Sequence, residues 1–219
     1  MNTKNSYIRG FLALLLFLIL AGWVLLAPAS LTALDSSIQT VVRGNLPGLA
    51  TAFFTRITLL FNTSVVVSWV LVLVLFLLYK KKKRAAGFLA GNLAVSGLLI
   101  VLLKNIVQRP RPAIQHLVEE HGFSFPSGHS LAATLVCGSL MILAGLAIQN
   151  QTYKRLVQMG LGLVVVIILV SRVYVGVHYP SDVLASCLLG TAFLQLESPK
   201  LREWLEKDYQ KEGKTARAV

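Results

Sequence analysis

The fold class that this sequence predicts is an all-α polytopic membrane protein: a bundle of six transmembrane helices with a short amphipathic helix in its first outer loop. Three observations carry that reading. Of 219 residues, 55% are hydrophobic and only 14% charged, with a mean hydropathy of +0.69, well beyond the apolar content of soluble domains. Apolar runs recur near the ~20 helical residues that a hydrocarbon core of ~30 Å requires. The 21 Lys and Arg behind the net charge of +12 gather in short segments between those runs. There they read as topology signals rather than as a nucleic-acid surface, so the implied partner is the bilayer and nucleic acid is excluded.

The six runs cover residues 11–27, 57–79, 85–103, 130–148, 156–170 and 183–196. The first follows Lys4 and Arg9 and precedes APAS, the layout of a secretion signal. It is longer than a signal core, which makes it an uncleaved span. Small residues in the third (Gly87, Gly91, Gly97) and sixth (Ser186, Gly190) suit close helix packing. Cys137 and Cys187 lie inside apolar runs and read as small packing residues rather than a disulfide or metal pair.

Basic residues orient the bundle. Lys4 and Arg9, the block from Lys80 to Arg84, Lys154 with Arg155, and the tail from Lys200 all fall on one side, which the positive-inside bias makes cytoplasmic. Both termini are then cytoplasmic. Residues 1–199 form the membrane domain and 200–219 a basic cytoplasmic tail, a helix expected to fray into disorder. In the first outer segment, 29–56, Asp35 is placed to cap a short helix SSIQTVVRG whose Ile38, Val41 and Val42 share one face, with Gly44, Asn45 and Pro47 ending it. Two roles fit it: packing over the bundle, or walling a lipid entrance.

Three polar clusters interrupt this pattern. KNIVQRPRP holds Lys104, Arg109 and Arg111 in an outer loop, against the positive-inside bias; Arg109 taken alone fits snorkelling to headgroups. FSFPSGHS then leads into the fourth run and sets Ser127, Gly128 and His129 at a helix amino end, where free N–H groups and the helix dipole favour an anion. SRVYVGVHYPSD closes the fifth run and opens the sixth with Ser171, Arg172, His178 and Asp182. Alternate loops join these runs, so all three clusters lie on one membrane face. Lys104, Arg111 and Arg172 converging there call for an anion, and phosphate matches the paired donors of Arg and the point charge of Lys.

The histidines turn phosphate binding into chemistry. Pro180 starts the sixth span with Asp182 in its first turn, from which Asp182 can accept from His178 Nδ1 and leave Nε2 as a nucleophile. His129 can donate to the leaving oxygen. A divalent metal on His129, His178 and Asp182 is disfavoured by the three cations around them, so no metal or other cofactor is expected. Glu119, Glu120 and His121 read as a solvated rim.

These residues resemble, in order, the three signatures of the type-two phosphatidate phosphatase superfamily: Lys104 through Arg111-Pro112, PSGH at 126–129, and Ser171-Arg172 through His178 to Asp182. The active-site segments are thus 104–129 and 171–182. The resemblance implies a phosphohistidine at His178 oriented by Asp182, and His129 as acid toward the leaving group. It also implies phosphoryl oxygens held by Lys104, Arg111, Ser127, Gly128 and Arg172, without metal. Six spans argue against the soluble haloperoxidase branch. The chain looks like the compact bacterial lipid phosphatases that act on phosphatidylglycerophosphate, phosphatidate or undecaprenyl diphosphate, with the pocket at the outer surface and no obligate protein partner. Phosphotransfer to another lipid or a sugar stays open as an alternative. Transport would need polar residues through the spans, and runs four to six hold little beyond Ser, Thr and Gly.

Overall fold

The computed structural model describes residues 3–215. Among them the chain forms eight helices and no strand: α1 (Thr3–Leu26), α2 (Pro28–Arg43), α3 (Gly48–Leu59), α4 (Thr63–Tyr79), α5 (Lys83–Val107), α6 (Gly128–Ala147), α7 (Gln151–Tyr174) and α8 (Pro180–Thr215). Four of them, α1, α5, α6 and α7, are long and apolar enough to cross a membrane. The pair α3 and α4 makes a fifth candidate, bent by 57° where they meet.

Helix α6 is the axis of the bundle. Half of its apolar window is buried, against 22% for α1 and α7, and it packs on α5, α7 and α8. Leu131 and Leu135 of α6 join Phe125, Ala185 and Leu189 in one apolar cluster. Gly190 of α8 permits the close approach, because a Cβ there would lie 2.7 Å from the Thr134 side chain. The outer faces of α1, α5 and α7 expose Phe11, Leu98 and Leu163, the pattern of helices solvated by lipid tails. Inside the bundle, the Asn92 amide donates to Ser139 Oγ at 2.8 Å and to Glu197 Oε1 at 3.1 Å, a polar knot that hydropathy did not reveal.

Several boundaries differ from the sequence reading. Lys104 lies in the last turn of α5 rather than in the following loop. Lys154 and Arg155 sit inside α7, which Asn150 caps by accepting from Thr152 N and Tyr153 N. The tail is not separate from the last apolar run, since α8 is continuous from Pro180 to Thr215. Leu205 on that extension is buried, and Asp208 accepts from Arg84 N and Ala85 N at 2.7 and 3.1 Å, capping α5. Tertiary contacts therefore hold the helix past the last apolar run. Residues 216–219, the last part of the tail expected to fray, lie outside the described residues.

Segment 29–56 differs most. It holds α2 and most of α3 rather than one short helix, and Asp35 lies mid-helix in α2 rather than at its start. Pro28, at the first position of α2, does the starting. The buried stripe of α2 is Leu31, Asp35, Gln39 and Arg43, while Ile38 and Val41 are exposed. A helix turns inward the face whose partners await it, and here the end of the bundle presents polar groups.

Candidate active site

At the end of the bundle where α5 finishes and α6 and α8 begin, the three sequence clusters meet. Helix α8 opens at Pro180, and Asp182 in its first turn accepts from Tyr179 N through Oδ2 at 2.9 Å, the reciprocal arm of a capping box. The same Oδ2 stands 3.5 Å from His178 Nδ1. That exceeds an ordinary N–H···O bond, and catalytic contacts of this kind tighten when substrate binds. On the other side of the ring, Arg111 Nη1 approaches His178 Nε2 at 3.4 Å. A guanidinium can only donate, so Nε2 carries the lone pair and the ring proton sits on Nδ1, facing Asp182. His178 is 1% exposed. Burial, then Arg172, Arg111 and Lys104, hold its imidazole well below the ordinary pKa, so the ring is neutral.

Arg111 is itself fixed by carbonyls, donating to Val177 O at 2.8 Å, His121 O at 2.9 Å and Gly122 O at 3.1 Å. Arg172 is fully buried and donates to Thr58 Oγ1 at 2.7 Å. Its second arm binds the Glu120 carboxylate. Glu120 also lies 3.4 Å from Arg111 Nη2 and 3.8 Å from His129 Nδ1. It is therefore not a rim residue. Its carboxylate occupies the centre of the cation cradle, where a phosphoryl group would make the same contacts. Burial alone would raise its pKa, but the Arg172 and Arg111 guanidiniums outweigh that and hold it below the usual carboxylate value.

His129 Nε2 pairs with Asn62 Oδ1 at 2.9 Å, which turns Nδ1 toward Glu120. Asn62 stands at the N-cap of α4, yet its side chain makes no cap bond. Ser127 is buried at the N-cap of α6 and its Oγ accepts from Ser130 Oγ at 2.9 Å, so its side chain is engaged in the cap. Lys104, Gly128, His129, Glu120 and His178 line the polar end of one cavity of about 510 Å³. The remainder runs between α4 and α5 along Val66, Val70, Val74, Ala90, Ala94 and Gly97. Along α5, Lys104 to Ala90 is roughly 21 Å at 1.5 Å per residue.

Arg109 does not snorkel. It is 5% exposed, bridges Asp182 Oδ1 at 2.7 Å and Asp35 Oδ2 at 2.8 Å, and lies over the Tyr179 ring at 4.0 Å. Thr58, Asn62, Asp35 and the inserted Glu120 are the functional neighbours that sequence reasoning missed. One signal was present for Asp35: no other carboxylate precedes Glu119 in the chain.

A helical membrane bundle carrying a histidine–aspartate pair, a second histidine and a cradle of buried and half-buried cations defines a class, and the comparisons agree with it. Residues 85–203, more than half of the chain, match the PAP2 superfamily, and the chain belongs to that superfamily. It is 38% identical over 97 residues to phosphatidylglycerophosphatase B of Bacillus subtilis (strain 168), covering 42% of this chain and 46% of that protein. It is 28% identical over 137 residues to an undecaprenyl-diphosphatase of Sulfolobus acidocaldarius, covering 59% and 62%. These matches span less than two thirds of either relative. In three dimensions it is similar to the PAP2-type phosphatidylglycerolphosphate phosphatase of Bacillus subtilis, with TM-score 0.74 and 26% identity over 93% of this chain and 96% of that one. Aquifex aeolicus LpxE gives TM-score 0.59 and 25% identity over 75% and 95%.

Proposed function

We propose that this protein is a metal-independent lipid phosphatase that removes the terminal phosphate of a lipid phosphate or diphosphate at the outer membrane face. The observation that carries this reading is the shape of the cavity: His178, His129 and Lys104 at one end, and an apolar groove between α4 and α5 leading away from them. A phosphoryl group belongs at the first and an acyl or isoprenyl tail in the second. The six spans are α1, the bent pair α3 and α4, α5, α6, α7 and the apolar first half of α8. The basic block at Lys80–Arg84 and both termini lie on the cytoplasmic side, which puts the site outside.

In the first step, the lone pair of His178 Nε2 attacks phosphorus and the bond from phosphorus to the lipid oxygen breaks. That oxygen leaves with a proton from His129 Nδ1, and Asp182 stabilises the charge on the phosphorylated ring. A phosphate dianion between Lys104, Arg111 and Arg172 favours the protonated His129 that this step needs. In the second step, water attacks phosphorus, its proton goes to His129, and the P–N bond breaks to release inorganic phosphate. Lys104, Arg111, Arg172 and the backbone around Ser127 and Gly128 hold the phosphoryl oxygens. The named relatives make undecaprenyl diphosphate and phosphatidylglycerophosphate lipids to test, and the family resemblance in the sequence adds phosphatidate.

The test is phosphate release by the purified protein in mixed micelles with a chelator present, with the three lipids side by side and His178→Ala as control. Release that survives chelation and is lost in the variant supports the proposal. No release from any of the three by folded wild-type protein overturns it and directs attention to phosphotransfer.

A further inference from the structure

The cluster outside the family signatures that reaches the catalytic pair most directly is on α2. Asp35 and Gln39 are one helical turn apart, so they share a face, and both are buried. Gln39 Nε2 donates to His178 O at 3.2 Å. Asp35 Oδ1 accepts from Ser181 N at 2.8 Å, and its Oδ2 accepts from Ser181 Oγ at 2.6 Å. The two side chains thus grip both ends of the tetrapeptide His178-Tyr179-Pro180-Ser181, which joins the attacking histidine to the start of α8.

Asp35 also shares Arg109 with Asp182. An arginine alone with a carboxylate takes both of its oxygens in a two-pronged pair. Here Arg109 gives Nη2 to Asp35 and only Nη1 to Asp182 Oδ1. Asp182 Oδ2 stays available to Tyr179 N and to His178 Nδ1. The buried group of two carboxylates and one guanidinium thus stands beside the ring.

We propose that Asp35 and Gln39 are positioning residues for the His178–Asp182 pair, with Asp35 holding Arg109 off the oxygen that His178 needs. This rests on the reading of His178 as nucleophile. Neither residue lines the cavity, so both act on the turnover step rather than on binding.

The experiment compares full-length wild type, Asp35→Asn, Asp35→Glu, Gln39→Ala and His178→Ala in mixed micelles. It measures kcat and KM on whichever of the three lipids wild type turns over fastest, the inhibition constant for orthovanadate, and the thermal midpoint. Asp35→Asn is expected to lower kcat on the order of 10- to 100-fold, the range for partners one shell from the chemistry. Its KM and vanadate constant stay within about twofold, and Asp35→Glu recovers most of the loss. Gln39→Ala, which strands no charge, is expected to lower kcat several-fold at unchanged KM, and it carries the test if Asp35→Asn does not fold. Wild-type kcat in Asp35→Asn and Gln39→Ala beside an inactive His178→Ala overturns the positioning role and leaves the nucleophile standing. Activity retained in His178→Ala overturns the underlying reading instead. Loss of vanadate binding and thermal stability in parallel with kcat, without recovery in Asp35→Glu, assigns Asp35 to folding and overturns the proposal.

Discussion

Under the proposed function, Glu120 and His178 set the site's response to ligand and to pH. The Glu120 carboxylate holds Arg172 and neighbours Arg111 and His129, so any phosphate entering the cradle must displace it. Glu120→Gln removes the competing charge and is expected to lower the inhibition constant of inorganic phosphate several-fold. It also leaves Arg172 without a counter-ion, so the thermal midpoint falls and added phosphate restores it. Calorimetry with and without phosphate reads both changes. His178 is neutral in the folded protein because its pKa is depressed. An unfolded chain protonates the same ring near pH 6.5, so below that pH the unfolded state binds more protons and stability falls as pH falls. The loss approaches about 1.4 kcal/mol per pH unit. Thermal midpoints between pH 7.5 and 5.5 should decline for wild type and decline less for His178→Asn. The signature residues were legible in the sequence because charge and histidine at span ends stand out against an apolar background. Asn62, Thr58 and Asp35 were not, because each gains its role through a contact with a residue more than 60 positions away.

The turn between α7 and α8 packs closely against α2 and the loop that follows α5. Gly176 has φ +85, and a Cβ on it would lie 2.0 Å from Arg43 Nη1 and 2.7 Å from Gln115 O. Gly176→Ala therefore strains the backbone and pushes on α2 at once. A destabilisation of about 1–3 kcal/mol is expected, read as a lower thermal midpoint together with reduced phosphate release. Helices α1, α5, α6 and α7 were legible from long apolar runs alone. The bend between α3 and α4 was not, because hydropathy averages across a break of three residues. Nor was the inward polar stripe of α2, since periodicity identifies faces without saying which one finds partners. The continuous α8 was hidden for a related reason. Its second half looks like a solvated tail until Leu205 and Asp208 are seen packed against the rest of the bundle.

Across the whole molecule, the proposed function divides recognition between a polar end and an apolar groove of one cavity. Gly97 lines that groove, and a Cβ there meets nothing within 4 Å, so Gly97→Leu extends a side chain from open space toward the groove. Its KM should rise several-fold for long-chain lipid phosphates and stay unchanged for a short, water-soluble phosphomonoester. The thermal midpoint should not fall, since leucine favours helix over glycine. Equal effects on both substrates would remove the groove from tail binding. The site end and the basic end lie at opposite ends of the same helices, an arrangement that serves an enzyme whose substrate brings its phosphate to one membrane surface.

The measurement that tests the central claim most directly is rapid acid-free quenching of wild type during turnover, followed by peptide mass spectrometry for a phosphoryl group on nitrogen. The account predicts an acid-labile phosphoryl group on His178, absent from His178→Ala, formed and lost as fast as phosphate is released. Undiminished phosphate release with His178 unmodified, or with His178 replaced, would contradict it.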